Sequence, residues 1–266
     1  MSAGLSYKDN TEYNLLVSQG LVQGVAAVTQ IGRAPDGVQT TVSDIWSRCD
    51  SVPTQQIWIP PTTARIHNIT STSPNDNTGG TGAVSVIVYG LTSWSSEEVS
   101  EVVTLNGVTS VPTVNSYVII HRMTAVAQST TTSVGINAGV IRATAVTDAT
   151  ITAQIDANAG TTQMAIYGVP STKMLYVKTF FAYMNDSAGA TRADIQFRIN
   201  FNPNVQRFGF VNGGNIQIQN QGSSGIINEL SITNSIPGPA IVKIQAIANT
   251  ADVDVTAGFT AYLIDN

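Results

Sequence analysis

Residues 192–200 read RADIQFRIN: Ala193, Ile195, Phe197 and Ile199 alternate with Arg192, Asp194, Gln196 and Arg198. Successive side chains of an extended chain point to opposite faces, so this is the pattern of a β-strand with one buried face. Upstream, VSVIVYG at 84–90 sets Val84, Val86 and Val88 on one side and Ile87 and Tyr89 on the other. Apolar residues on both sides predict a strand buried on both faces. Turn residues separate such runs. Asn106-Gly107 is a type I′ hairpin candidate, and NDNTGGTG (75–82) and NDSAGAT (185–191) supply residues that tolerate positive φ, so both read as hairpin turns. The fold class that follows is all-β.

The runs also recur. IWIPPTTARIHNI (57–69) is echoed by IYGVPSTKMLYVK (166–178), which places Pro61 over Pro170, 109 positions on. TVSDI (41–45) falls on ITAQI (151–155) at a spacing of 110, and 74–90 falls on 185–200 with Ala83 over Ala193, again at 110. INAGVIRATAV (136–146) resembles VTAGFTAYLID (255–265) at 119, which implies about nine extra residues in the second copy, expected within 208–225. Four collinear matches predict an internal duplication, and a period above 100 residues is domain-sized. The predicted organisation is an N-terminal arm over 1–37 followed by two tandem, jelly-roll-like β-sandwich domains, 38–147 and 148–266. Proline cannot donate to a strand ladder, so Pro60-Pro61 and Pro170 are expected to launch equivalent strands in the two copies.

Only residues 11–31 leave room for helix, and Gly20 and Gly24 each cost about 1 kcal/mol there relative to Ala. A short helix or an extended arm is expected, and an arm without a core of its own must lie on something else. Its candidate docking residues are Tyr13, Leu15, Leu16, Val17, Leu21, Val22, Val25, Val28 and Ile31.

The chain has 266 residues, 11% charged and 42% hydrophobic, and a net charge of −5. Folding at this length should bury roughly 75% of the extended surface. The twelve Lys and Arg are scattered singly, so no basic stripe is available to a phosphate backbone and no nucleic-acid partner is expected. One cysteine, Cys49, closes no intrachain disulfide. The amino terminus lacks the basic-then-apolar pattern of a secretory leader, and the longest apolar stretch, LVQGVAAV (21–28), is too short to span a bilayer, so no membrane partner is expected either.

Residues that could carry chemistry are thinly spread. His67 and His121 are the only histidines; neither has the i, i+4 companion or the Cys pairs that specify a metal site, and a hydrolytic triad would have to use one of them. Glu97, Glu98 and Glu101 form the densest acidic group, read as a solvated strand face, with a Ca²⁺-binding loop as the sharper alternative. Cys49 beside Arg48 reads as a buried thiol rather than an activated one. Asn68-Ile69-Thr70 and Asn185-Asp186-Ser187 fit the glycosylation pattern. Tyr7, Tyr13, Trp46, Trp58 and Trp94 are expected in the core or a subunit interface, with a sugar-stacking platform as the alternative. No catalytic residue, metal or cofactor is assigned, and the chain is expected not to be an enzyme.

IGRAPD (31–36) leading to DIW (44–46), GTGAVSVIVYGL (80–91), EEVSEVVTLNG (97–107), VNSYVIIHRM (114–123), AGTTQMAIYGVPSTK (159–173), IPGPAIVKIQA (236–246) and DVTAGFTAYLIDN (254–266) together resemble a family of virion structural proteins of tailed bacteriophages, mainly marine ones. The resemblance covers nearly the whole chain after residue 28 and is weakest over 207–234. It implies a non-enzymatic, β-rich subunit of the virion, assembled in the host cytoplasm, most simply a head decoration or cement protein. Its partners would be the major capsid protein and copies of itself, as a trimer. A tail or head-fibre module gripping host surface glycans and a double jelly-roll capsid subunit are the alternatives.

Overall fold

The computed structural model describes residues 10–49, 55–127, 137–185, 191–219, 224–229 and 235–266. One helix, α1 (Asn10–Ser18), precedes a series of strands. These are β1 (Val25–Val38), β2 (Ser43–Asp44), β3 (His67–Ser71), β4 (Ala83–Leu91), β5 (Val99–Thr104), β6 (Val111–Pro112), β7 (Ile119–Ala127), β8 (Ile141–Ala145) and β9 (Thr150–Ile155). They continue as β10 (Ile166–Val169), β11 (Lys173–Asn185), β12 (Arg192–Asn200), β13 (Val211–Gln219), β14 (Ser224–Glu229), β15 (Ser235–Pro237), β16 (Ala240–Ala248) and β17 (Val253–Asp265). The all-β expectation holds.

The strands form four antiparallel sheets. Two have the orders β6-β3-β8-β9 and β5-β4-β7; the others are β1-β17-β11-β14, with β15 also on β11, and β10-β16-β12-β13, with β2 on β16. The two pairs of sheets have matching plans. β3 sits between β6 and β8 as β11 sits between β14 with β15 and β17; β4 sits between β5 and β7 as β12 sits between β13 and β16. The proline steps at 60–61 and 170 lead into β3 and β11, which hold the same place in their sheets.

Edge strands cross between the halves. β1 pairs with the last strand, from Val25 opposite Ile264 to Ala34 opposite Val255, and β2 joins β16. β9, expected to open the second domain, is hydrogen-bonded to β8 in the first half. The "something else" on which the arm lies is therefore, from residue 25 onward, the chain's own C-terminal strand. β1 is also held from its flat side: a Cβ on Gly32 would stand 2.3 Å from the Ile45 carbonyl oxygen and 2.5 Å from the Ala165 nitrogen. Only glycine permits that approach. Buried apolar residues from both halves, including Ala34, Trp46, Ile69, Val88, Ile120, Ile166, Phe197 and Phe259, form one continuous core.

Several local expectations change. Val86 and Val88 are buried where Ile195 and Phe197 are, and Ile87 and Tyr89 are half-buried where Gln196 and Arg198 are. The faces of β4 and β12 thus coincide at a spacing of 109, and the pairing of Ala83 with Ala193 at 110 is one residue out of phase, which would turn every side chain over. Nor is β4 fully buried on both faces; the Arg122 guanidinium covers the Tyr89 ring at 4.0 Å. Asn106-Gly107 is not a two-residue hairpin: only Gly107 has positive φ, and the turn carries the chain from β5 to β6 in a different sheet. NDNTGGTG likewise connects β3 to β4 across two sheets, and it folds around the carboxylate of Asp76. That buried group accepts the Ser71 hydroxyl and the backbone N–H groups of Ala83 (2.9 Å), Ala138 (2.8 Å) and Gly139 (2.9 Å).

Candidate functional site

The charged residues gather where the halves meet. β7 brings His121 and Arg122 and β10 brings Tyr167; the segment entering β5 supplies Glu97 and Glu98, and β11 opens with Lys173. Together with residues 26–30 of β1 they line a cleft of about 270 Å³. The His121 ring packs on the Tyr167 ring at 4.6 Å, and its Nε2 lies 2.6 Å from Glu98 Oε2. Burial alone would raise the Glu98 carboxyl; the hydrogen bond and charge of His121, with Arg122 nearby, outweigh it and hold it below the usual carboxylate range. Glu97 Oε2 is 3.0 Å from Lys173 Nζ, which also pairs with Asp265, and Glu97 Oε1 accepts the Thr172 hydroxyl. The pair with Asp265 raises the Lys173 ammonium above its ordinary value.

Each carboxylate in this cleft is matched by a cation from another strand. Glu97 with Lys173 ties the loop before β5 to the second half, whereas Glu98 with His121 and Arg122 ties it to β7 in the first; the two acids are not a free acid–base pair of the kind that divides catalytic labour. Glu97 and Glu98 are exposed, as a solvated face requires, but both are ion-paired and only Glu97 reaches the second half. Glu101 accepts both the Val114 and Asn115 N–H groups and the Asn115 side-chain amide, closing its own loop. Among the described residues no three His, Cys, Asp or Glu side chains converge to hold a metal ion.

His67 lies in a separate environment. Its Nδ1–H donates to the Arg65 carbonyl at 2.9 Å, its ring meets Tyr117, and Nε2 is buried without a partner among the described residues. A proton on Nε2 would be desolvated and unbonded. Burial accordingly pushes His67 down to about 4, against partial opposition from the Arg65 carbonyl and Asp148. Because the folded value is depressed, the unfolded chain binds the proton first as pH falls. Stability attributable to His67 is intact above about pH 6.5, declines below it, and levels off beneath pH 4, a total of roughly 3 kcal/mol. Urea titrations of the wild type and His67→Gln from pH 7 to 4 are expected to converge by that amount; parallel curves would remove the assignment.

The other candidates separate cleanly. Trp46 and Trp58 are fully buried, with Trp58 Nε1–H donating to the Thr152 carbonyl, so they form no surface platform. Trp94 is half-buried and borders a surface hollow of about 390 Å³ with Pro60, Pro61, Asn204 and Arg207. Tyr13 meets Tyr262 edge-on at 5.7 Å, while Tyr7 lies outside the described residues. Cys49 is buried, its thiol donating to the Gly37 carbonyl. Asn68 is half-buried within β3, Asn185 ends β11, and Ser187 lies outside the described residues. Of the docking candidates, Val17 and Val28 are buried, Leu16, Val22 and Val25 are half-buried, and Leu15 (55%), Leu21 (67%) and Ile31 (47%) are exposed. Phe201, Val205, Phe208 and Val211 are exposed as well.

No family model matches this chain, and no curated protein matches it. Among solved structures, it is similar to a protein of the Gt strain of infectious bursal disease virus at 11% identity and a TM-score of 0.23, over 91% of this chain and 73% of that one. The VP2 subviral particle of the same virus gives 9% identity and 0.23, over 90% and 72%. The Gx strain gives 7% and 0.24, over 90% and 70%. The likeness to these viral proteins is weak, and scores at this level do not establish a shared fold.

Proposed function

We propose that the chain is a bacteriophage virion structural protein, a head decoration subunit that attaches to the major capsid protein and to copies of itself as a trimer. The observation that carries this reading is the division of the N-terminal region: β1 is built into the body, whereas the segment before it presents Leu15 and Leu21 to solvent. Apolar side chains held outside a body that has ample core to receive them are docking material. Burying them against a shell contributes about 25 cal/mol per Å² of apolar area, and repetition over a lattice multiplies modest contacts. The sequence resemblance to phage virion proteins points the same way.

The body is read as two copies of one sandwich unit. The matched sheet plans and the common burial of β4 and β12 support this reading. In it, β1 does for the second copy what β9 does for the first, so each copy's outer edge is completed from beyond its own sequence span.

The double variant Leu15→Asp/Leu21→Asp is expected to lose binding to undecorated phage heads at least tenfold while unfolding at the wild-type temperature. Sedimentation of heads with bound protein measures it, and unchanged binding would refute the docking role. A second reading, a glycan-gripping fibre module, is favoured by the hollow beside Trp94 and Arg207. Binding on a glycan array that is lost in Trp94→Ala would select it.

A further inference from the structure

We propose that Lys243 and Asp44 are joined by an amide bond that the folded chain forms on itself, between Nζ and Cγ. Lys243 is the one basic residue in the buried strand AIVKIQAIA, and its side chain is 2% exposed; that of Asp44 is wholly buried. Nζ lies 2.9 Å from Asp44 Oδ2 and 4.3 Å from the centre of the Phe210 ring. Oδ2 also accepts the Trp58 backbone N–H at 2.7 Å, while Oδ1 is buried with no hydrogen-bond partner among the described residues.

Each feature has a chemical counterpart in amide condensation. Attack requires nitrogen with a free lone pair, and the short contact is the path by which a proton passes from Nζ to Oδ2. Fixed proximity replaces a bimolecular encounter. The Trp58 N–H fixes Oδ2 beside Nζ, so the proton that crosses the contact settles on the oxygen that leaves. The nitrogen lone pair forms the Nζ–Cγ bond, the Cγ–Oδ2 pair departs with Oδ2, a second proton passes from Nζ to Oδ2 to complete water, and Oδ1 remains as the amide carbonyl oxygen with the third proton on the amide nitrogen. Ammonium and carboxylate become amide and water, with no further reactant.

The bond would tie β2 to β16 across 199 positions of sequence, in a chain whose one cysteine can make no intrachain disulfide. It is independent of the decoration role. The test is the intact mass of the folded wild-type chain, denatured after folding, both fresh and after prolonged storage, followed by proteolysis. The expected result is a mass lower than that of the sequence by one water and a branched peptide containing Asp44 and Lys243, both absent in Lys243→Arg. A full sequence mass in the fresh and stored samples overturns the proposal. So does a water loss that maps to a cyclic imide at Asp36-Gly37 instead of a branched peptide.

Discussion

Asp76→Ala is expected to destabilise the fold by about 4 kcal/mol or more. The side chain is fully buried and serves four donors: the Ser71 hydroxyl and the N–H groups of Ala83, Ala138 and Gly139. Those donors come from the end of β3, the start of β4 and the segment leading into β8, so one carboxylate joins three stretches of backbone drawn from two sheets. Each buried donor left unsatisfied costs about 1–3 kcal/mol, and the methyl of alanine reaches none of them. Asp76→Asn keeps one carbonyl oxygen and is expected to lose about half as much. Urea midpoints at constant m-value measure both, and an alanine variant within about 1 kcal/mol of wild type would dispose of the clamp.

The second large effect separates two truncations. Removing residues 1–20 is expected to shift the unfolding temperature by no more than a few degrees, since β1 begins at Val25. Removing residues 1–37 strips β17 of its neighbour, uncovers its hydrogen-bonding edge and withdraws Val28 and Ala34 from the core. That exceeds about 5 kcal/mol, or a fall of roughly 10–20 °C for a chain of this size, and leaves an unpaired strand prone to aggregate. Calorimetry of the two proteins side by side decides it. Similar unfolding temperatures would mean that β1 contributes little to the body. Head-binding assays on the longer truncation would confuse lost docking with lost folding, which is why point changes at Leu15 and Leu21 are the cleaner probe.

What the sequence disclosed was whatever repeats locally. RADIQFRIN announces β12 because alternation is a property of neighbours, and the echo of 57–69 at 166–178 locates β3 and β11 for the same reason. The phase of β4 against β12 was missed by one residue because Ala83 and Ala193 match in identity and are both buried, although the residue in phase with Ala193 is Val84. Turn chemistry misled at Asn106-Gly107 and at NDNTGGTG, since local φ preferences say nothing about which sheet receives the next strand. The Glu98–His121 contact spans 23 positions and the Lys243–Asp44 contact 199, separations at which a single sequence carries no pairing signal. A lone lysine inside IVKIQA was the legible hint of the latter: a charge in a buried run demands a partner.

The pairing of β1 with β17 sets a timetable. β1 bonds to a strand made more than 200 residues later, so the sheet it borders stays open until β17 has emerged. At about 5–20 residues per second, that wait lasts on the order of ten seconds or longer. During it β1 is a nascent edge without its mate, in reach of any chaperone that shields extended segments. Emergence of β17, rather than of the strands between, is the event that lets this sheet close.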